Sequence, residues 1–184
     1  MSKKTHILNA AARVFYRQGA AKTKFGDIAK EAGISRPTLY AAFEDKNAIM
    51  IATIYHISEQ LIEAIRSQIA DKITAAERLS TFTNFAIIEP YMNIQESEDA
   101  ADILSGHNDD GREAIKKTLE LRTAFLYEIL APFANDEIES EVLFNLCRTF
   151  VLSGSGLKST VGNVDELKQC LDVLSAWLLS SFRE

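Results

Sequence analysis

Between Lys22 and Lys46 the chain gathers side chains that can grip a polyanion and read it: the cations Lys22, Lys24, Arg36 and Lys46, the hydroxyls of Thr23, Ser35 and Thr38, and the phenol of Tyr40, with Pro37 among them. Ammonium and guanidinium groups neutralise phosphates, hydroxyls donate to phosphate oxygens, and an arginine fork matches the two acceptors on a guanine edge. That is the chemistry of docking on double-stranded DNA. Arg36 is the candidate for a bidentate guanine contact, with a phosphate contact as its alternative.

Groups with this task need a rigid mount, and the spacing supplies one. Ile28, Ala29 and Ala32 recur at i, i+1 and i+4 and share one face of a short helix. Gly33 just past them suits a left-handed C-terminal cap, and Ile34 plugs the corner. Ser35 is an N-cap whose hydroxyl is expected to accept from Thr38 or to face a phosphate, because Pro37 has no N–H to offer. Leu39, Ala42 and Phe43 are expected to point inward from the second helix, leaving Arg36, Thr38, Tyr40 and Ala41 outside. Two helices joined by so tight a turn predict a helix-turn-helix.

Charge distribution agrees with this placement. The 184 residues carry a formal net charge of -6, yet residues 1–46 hold nine Lys or Arg against four Asp or Glu, a local balance of +5. A basic module on an acidic body attracts phosphates locally and leaves the remainder non-sticky. Hydrophobic residues make up 47% of the chain, enough for a core. No apolar run of roughly 18 residues or secretory leader is evident, so a cytoplasmic protein is expected. Cys147 and Cys170 lack metal-ligand spacing and read as reduced, buried thiols.

Along the chain the three-four rhythm never gives way to alternation, so the expected fold is all-α with about nine helices: an N-terminal three-helix DNA-binding domain over 1–46 and a helical domain over 47–184. Helix one runs to Gln18 with Gly19 as its stop. Asp45 caps a long helix bearing Ala48, Ile51, Ala52, Tyr55, Ile62, Ile65 and Ile69 inward. Thr74 and Glu77 form a capping box, and Pro90 ends or kinks the helix that follows. A short helix with Ile103 and Leu104 ends at Gly106, His107 to Gly111 form a loop, and a helix runs from Arg112 to Ala131. The pairs Asp136 with Glu139 and Asn163 with Glu166 start helices at about 137–153 and 164–183.

The last two helices are apolar on more than one face, more than a surface helix requires. The second face is buried either in the core of its own subunit or in a partner, and Leu143, Leu146, Phe150, Leu174, Trp177 and Leu178 are the candidates for a homodimer interface, as a four-helix contact. Phe82, Phe85, Tyr91, Met92 and Phe125 are candidates for a mostly apolar ligand pocket, against ordinary core packing as the alternative for each, and His107 is a further candidate, against a solvent-exposed loop histidine.

The N-terminal residues Ile7-Leu8, Ala11-Ala12, Phe15, Gly19, Thr23, Asp27-Ile28-Ala29, Ala32-Gly33-Ile34-Ser35, Leu39-Tyr40, Phe43 and Lys46 stand at the spacing of the TetR family of bacterial transcription regulators, which this stretch closely resembles. The resemblance implies an all-helical homodimer whose C-terminal domain binds a small-molecule effector and so releases an operator, that is, a repressor. It also implies phosphate contacts at Thr23, Lys24 and Lys46 and a recognition helix opening at Ser35, Arg36, Pro37 and Thr38 with Tyr40. Lys24, the pair Ala41-Ala42 and Asn47 depart from the common pattern, and the alanines shrink the outward surface of that helix.

Other chemistry finds little support. His6, His56 and His107 fall on separate elements without metal-ligand spacing. The run Ser153 to Thr160 lacks the glycine spacing and preceding strand of a phosphate loop; small residues at a helix end or a close dimer contact explain it. No nucleophile is paired with a base, so no enzyme and no cofactor is expected. A ligand-insensitive DNA-binding or partner-docking protein, or an enzyme with an incidental helix-turn-helix, are the rival readings.

Overall fold

Ser2 opens the first helix, its hydroxyl oxygen accepting the Thr5 N–H at 3.0 Å. The computed structural model describes residues 2–95 and 108–182. Helix α1 spans Lys3–Lys22, but at Gly19 the backbone leaves helical geometry with φ 72° and ψ 164°, so the expected stop holds and one further turn runs on to Lys22. Then come α2 (Phe25–Glu31), α3 (Arg36–Ala42) and α4 (Lys46–Gln68), the last capped by Asp45 Oδ1, which accepts the Ala48 N–H at 2.7 Å.

Helix α5 (Ala75–Thr83) starts in the expected capping box: Thr74 Oγ1 accepts from the Glu77 N–H at 3.2 Å, and Glu77 accepts from the Thr74 N–H at 3.1 Å. Pro90 does not end the helix. A π turn over Asn84–Ile88, closed by the Glu89 N–H on the Asn84 carbonyl, carries α5 into α6 (Glu89–Gln95). The wider turn makes room for the ring that would strike the carbonyl four residues back.

Helix α7 (Asp109–Leu130) begins earlier than expected, because Asn108 Oδ1 caps the Gly111 N–H at 2.8 Å. Thus Asp109–Gly111 are helical, whereas the expected helix with Ile103, Leu104 and Gly106 lies outside the described residues, as does His107. After a 3-10 turn at Ala131–Phe133 come α8 (Ser140–Leu157) and α9 (Val164–Leu179). Glu139, not Asp136, precedes α8 and makes no side-chain cap bond, while Asn163 Oδ1 caps α9 through the Glu166 N–H at 2.9 Å. Among the described residues the nearest approach to a sheet is an isolated bridge between Ala134 and Phe182. The fold is all-α.

Two compact units divide the chain, Met1–Gln60 with Asn93–Thr118 and Leu61–Met92 with Leu119–Glu184. In the first, Ile7, Val14, Phe15, Ile28, Leu39, Ile49 and Met50 are buried together, with Ala114 of α7 beside them. Asn47 ties α4 to the start of α7 there, donating to Asp110 Oδ2 at 2.8 Å and accepting from Asn108 at the same distance. This unit takes in residues 46–60 of α4, so packing does not divide at residue 46.

The face α4 buries is rotated from the expected one. Ile49, Met50, Thr53 and Ile54 are buried, whereas Ala48, Ile51, Ala52 and Tyr55 are half-exposed. One residue is about 100° of helix, and the neighbours settle which side of a broad apolar stripe turns inward. α4 is also the one described helix long and apolar enough by composition to cross a membrane, at mean hydropathy 1.2; core burial explains the same composition.

The second unit packs Ile65, Leu79, Phe82, Leu126, Leu130, Cys147, Phe150, Leu167 and Leu171. Leu143, Phe150 and Leu178, expected at a dimer interface, belong to this core and are buried at 3, 0 and 0% exposure. Gly154 likewise serves its own chain, since a Cβ there would sit 2.4 Å from Ile87 Cδ1. Both cysteines are free, and burial pushes the Cys147 thiol up to about 12.

Candidate nucleic-acid interface and effector cleft

The turn between α2 and α3 closes with paired backbone bonds. The Ile34 N–H reaches the Ala29 carbonyl at 3.0 Å and the Gly33 N–H reaches Lys30 at 3.1 Å, with Gly33 at φ 62°. This is a Schellman cap, and it satisfies two carbonyls that the end of α2 would otherwise leave open. His6 Nε2 lies 2.9 Å from the Ala32 carbonyl and pins α1 to the same corner. Arg13 Nε and Arg17 both reach the Glu31 carboxylate, at 2.8 and 3.3 Å, so these two cations brace α1 on α2. The Arg13 hydrogen bond, with help from Arg17, holds the Glu31 carboxyl below its usual range.

From this frame α3 presents a short polar surface. Ser35 Oγ accepts the Thr38 N–H at 3.2 Å, as the proline spacing requires, and Leu39 is buried. Ser35, Arg36, Pro37 and Tyr40 are exposed, and Thr38 is half-buried. Tyr40 is 58% exposed and steadied from one side by Phe25, with ring centroids 4.6 Å apart. Ala42, expected inward, is exposed together with Ala41 because Leu39 and Phe43 already fill that side.

Two predicted phosphate contacts sit differently. Thr23 is buried, its hydroxyl donating to the Gly19 carbonyl at 2.6 Å, so it seals the turn after α1 instead of facing solvent. Lys46 is half-buried and donates from Nζ to the Ala20 carbonyl at 2.9 Å. Lys22 and Lys24 are exposed. The Lys24 backbone N–H donates to Asp27 Oδ2 at 2.9 Å; this bond, with Gln18 behind it, lowers the Asp27 pKa. Lys30, which the motif reading passed over, is exposed on α2.

A profile of bacterial regulatory proteins of the tetR family matches residues 7–53, the segment that carries this turn and both its helices. Residues 7–53 are similar to the DNA-binding domain of that family. Over 73 residues it is 40% identical to an uncharacterized HTH-type transcriptional regulator of Mycobacterium tuberculosis, a match covering 40% of this chain and 36% of that protein. Over 78 residues it is 33% identical to the fatty acid metabolism regulator protein of Bacillus subtilis, covering 42% and 40%. These matches span well under two thirds of either relative. Over nearly the whole length the fold of this chain is similar to that of a TetR transcription regulator from Haloarcula marismortui, with TM-score 0.70, 13% identity and 98% of each chain covered.

Among the described ligand-pocket candidates, Phe82 lines a cleft in the second unit, with Ala86, Ile87, Leu119, Arg122, Val151, Ser155 and Lys158. The cleft is tight, with a volume of about 10 Å³, room for about one water. Phe125 packs on Phe82 with centroids 6.5 Å apart, Phe85 is half-buried and Met92 is exposed. Tyr91 is core, its hydroxyl donating to the Val161 carbonyl at 3.4 Å. Arg122 and Lys158 escaped the sequence reading because charges on helices ordinarily face water. Among the dimer candidates, Leu146, Leu174 and Trp177 keep exposed surface, and Leu174 lines an apolar surface groove with Leu157, Cys170 and Val173.

Proposed function

We propose that this chain is a ligand-responsive, DNA-binding transcriptional repressor that works as a cytoplasmic homodimer and has no enzymatic activity of its own. What carries the reading is the exposed set Arg36, Pro37 and Tyr40, with half-buried Thr38 among them, on a helix held by the Schellman turn. A groove-bound helix reads base edges with its leading turns, while Lys22, Lys24, Ser35 and Lys46 serve phosphates; Lys46 keeps two N–H donors beyond its bond to Ala20.

Two copies must place their α3 helices about 34–36 Å apart to enter successive major grooves. The exposed Trp177 and the groove at Leu157, Val173 and Leu174 support α8 and α9 as the seam. An effector that prefers another spacing weakens DNA binding by its differential affinity for the two dimer states. The fold of FadR from Bacillus subtilis, solved with stearoyl-CoA, is similar at TM-score 0.57 and 20% identity over 97% of this chain and 98% of that one. That likeness supports a ligand-binding second unit without naming the ligand.

The test is footprinting on the DNA flanking the gene, followed by titration of the protected site. Lys24→Ala is expected to weaken binding to every sequence and reduce the salt slope by about one, and Arg36→Ala to relax sequence preference. If both variants bind the protected site as the parent does at physiological salt, the assignment fails.

A further inference from the structure

In the second unit a trough of about 240 Å³ runs between α9 and α5 with its π turn, far roomier than the cleft at Phe82. Its floor is apolar, with Leu79 and Leu171 buried and Ile88 half-buried. Unspent polar groups line the rest: among the described residues the Ser80 and Ser175 hydroxyls make no hydrogen bond, Lys168 meets no carboxylate and Asp172 no cation. Lys168 and Asp172 stand at i and i+4 on α9 without pairing, in the order that favours such a bridge less. Asn84 gives an N–H to Glu89 Oε1 at 2.7 Å and leaves its carbonyl oxygen unspent.

We infer that this trough is the seat of an aliphatic α-amino acid and that such an amino acid is the effector; the inference rests on the ligand-responsive reading above. One turn of α9 sets the stems of Lys168 and Asp172 about 5.4 Å apart along the helix. A carboxylate and an ammonium carried on one carbon span that gap when each makes a charge-assisted bond of about 2.8 Å, the carboxylate to Lys168 and the ammonium to Asp172. A ligand with a single charge is drawn to one of the two and repelled by the other. The Ser80 and Ser175 hydroxyls and the Asn84 oxygen serve the remaining N–H and oxygen positions of the head group. A branched side chain buries itself on Leu79, Ile88 and Leu171. Asn84 and Ile88 are the two ends of the π turn, a departure from the α ladder that recurs at functional sites.

Four probes separate the head group from its parts: leucine, its isomer 6-aminohexanoate with the two charges far apart, 4-methylpentanoate without the amine, and 3-methylbutylamine without the carboxylate. Leucine is expected to raise the Tm of the parent dose-dependently and to release protected DNA, whereas the other three at equal concentration do neither. Lys168→Met and Asp172→Asn should each weaken leucine about tenfold or more. Both positions are exposed, so these variants should fold as the parent does. The exposed Lys116→Met on α7 should respond to leucine as the parent does.

Equal stabilisation by 6-aminohexanoate or by either single-charge probe, an unchanged response in both trough variants, or no leucine effect on a protein that still binds DNA overturns the inference and leaves the regulator reading standing. Failure of the folded parent to bind any flanking DNA overturns the regulator reading itself.

Discussion

The Arg36 guanidinium lies against Gly26: a Cβ built at that glycine would be 2.8 Å from Nη2 and 2.9 Å from Nε. The absent side chain on α2 therefore sets where Arg36, the arginine proposed to read DNA, can rest. Gly26→Ala pushes aside only the far end of a flexible side chain, so stability should move by less than about 1 kcal/mol. DNA discrimination should fall, because the guanidinium loses its seat. Thermal unfolding together with affinity for the protected site over scrambled DNA measures both, and an unchanged discrimination ratio refutes the link.

Gly154 and Ile87 make a tighter contact, with a Cβ at Gly154 only 2.4 Å from Ile87 Cδ1. Gly154→Ala should cost about 1–3 kcal/mol by overpacking. Ile87→Val removes the struck methyl, so the double variant should be less destabilised than the two single effects summed. Urea titrations of all four proteins check this, and simple additivity would show that α8 had shifted instead.

Thr74→Ala removes the hydroxyl that caps the Glu77 N–H and donates to the Glu77 carboxylate at 2.8 Å. A loss of about 1 kcal/mol is expected. That hydroxyl, aided by the Ile73 and Thr74 N–H groups, holds the Glu77 carboxyl below its usual range. Its stabilisation is present above the unfolded-state pKa and disappears as pH falls through the folded one, so the variant should differ from the parent less in acid than at neutrality. Equal differences at both pH values would remove Glu77 from the account.

In the ligand-free protein, Lys158 should make stability rise with pH between about 8 and 10.5, the span from its lowered value to its ordinary one. There the unfolded chain holds the proton that the folded chain has released, and stability rises wherever the unfolded state binds more protons. Arg122 stays charged throughout, and no other cleft residue titrates. The Tm difference between Lys158→Met and the parent should shrink across that window; a constant difference would mean that Lys158 does not titrate in the cleft.

The caps at Ser35, Asp45, Thr74 and Asn163, and the Gly33 turn, were legible because each is a bond between residues a few positions apart. The same locality made the family resemblance of residues 7–53 readable. Asp136 with Glu139 had the same spacing without the cap, since α8 starts only at Ser140.

What the linear chain determined by itself is therefore the all-helical class, the ends of most helices, the helix-turn-helix and its outward Arg36, Thr38 and Tyr40. Only the tertiary structure decided which side of each apolar stripe turns inward. It buried Ile49 and Met50 instead of Ile51 and Ala52, spent Thr23 on the Gly19 carbonyl, bound Lys46 to Ala20, and took Leu143, Phe150 and Leu178 into their own core. It also brought Arg122 of α7 and Lys158, the residue that follows α8, to one cleft. Periodicity is a property of one helix, whereas burial, and the meeting of two like charges, depend on the helices packed against it.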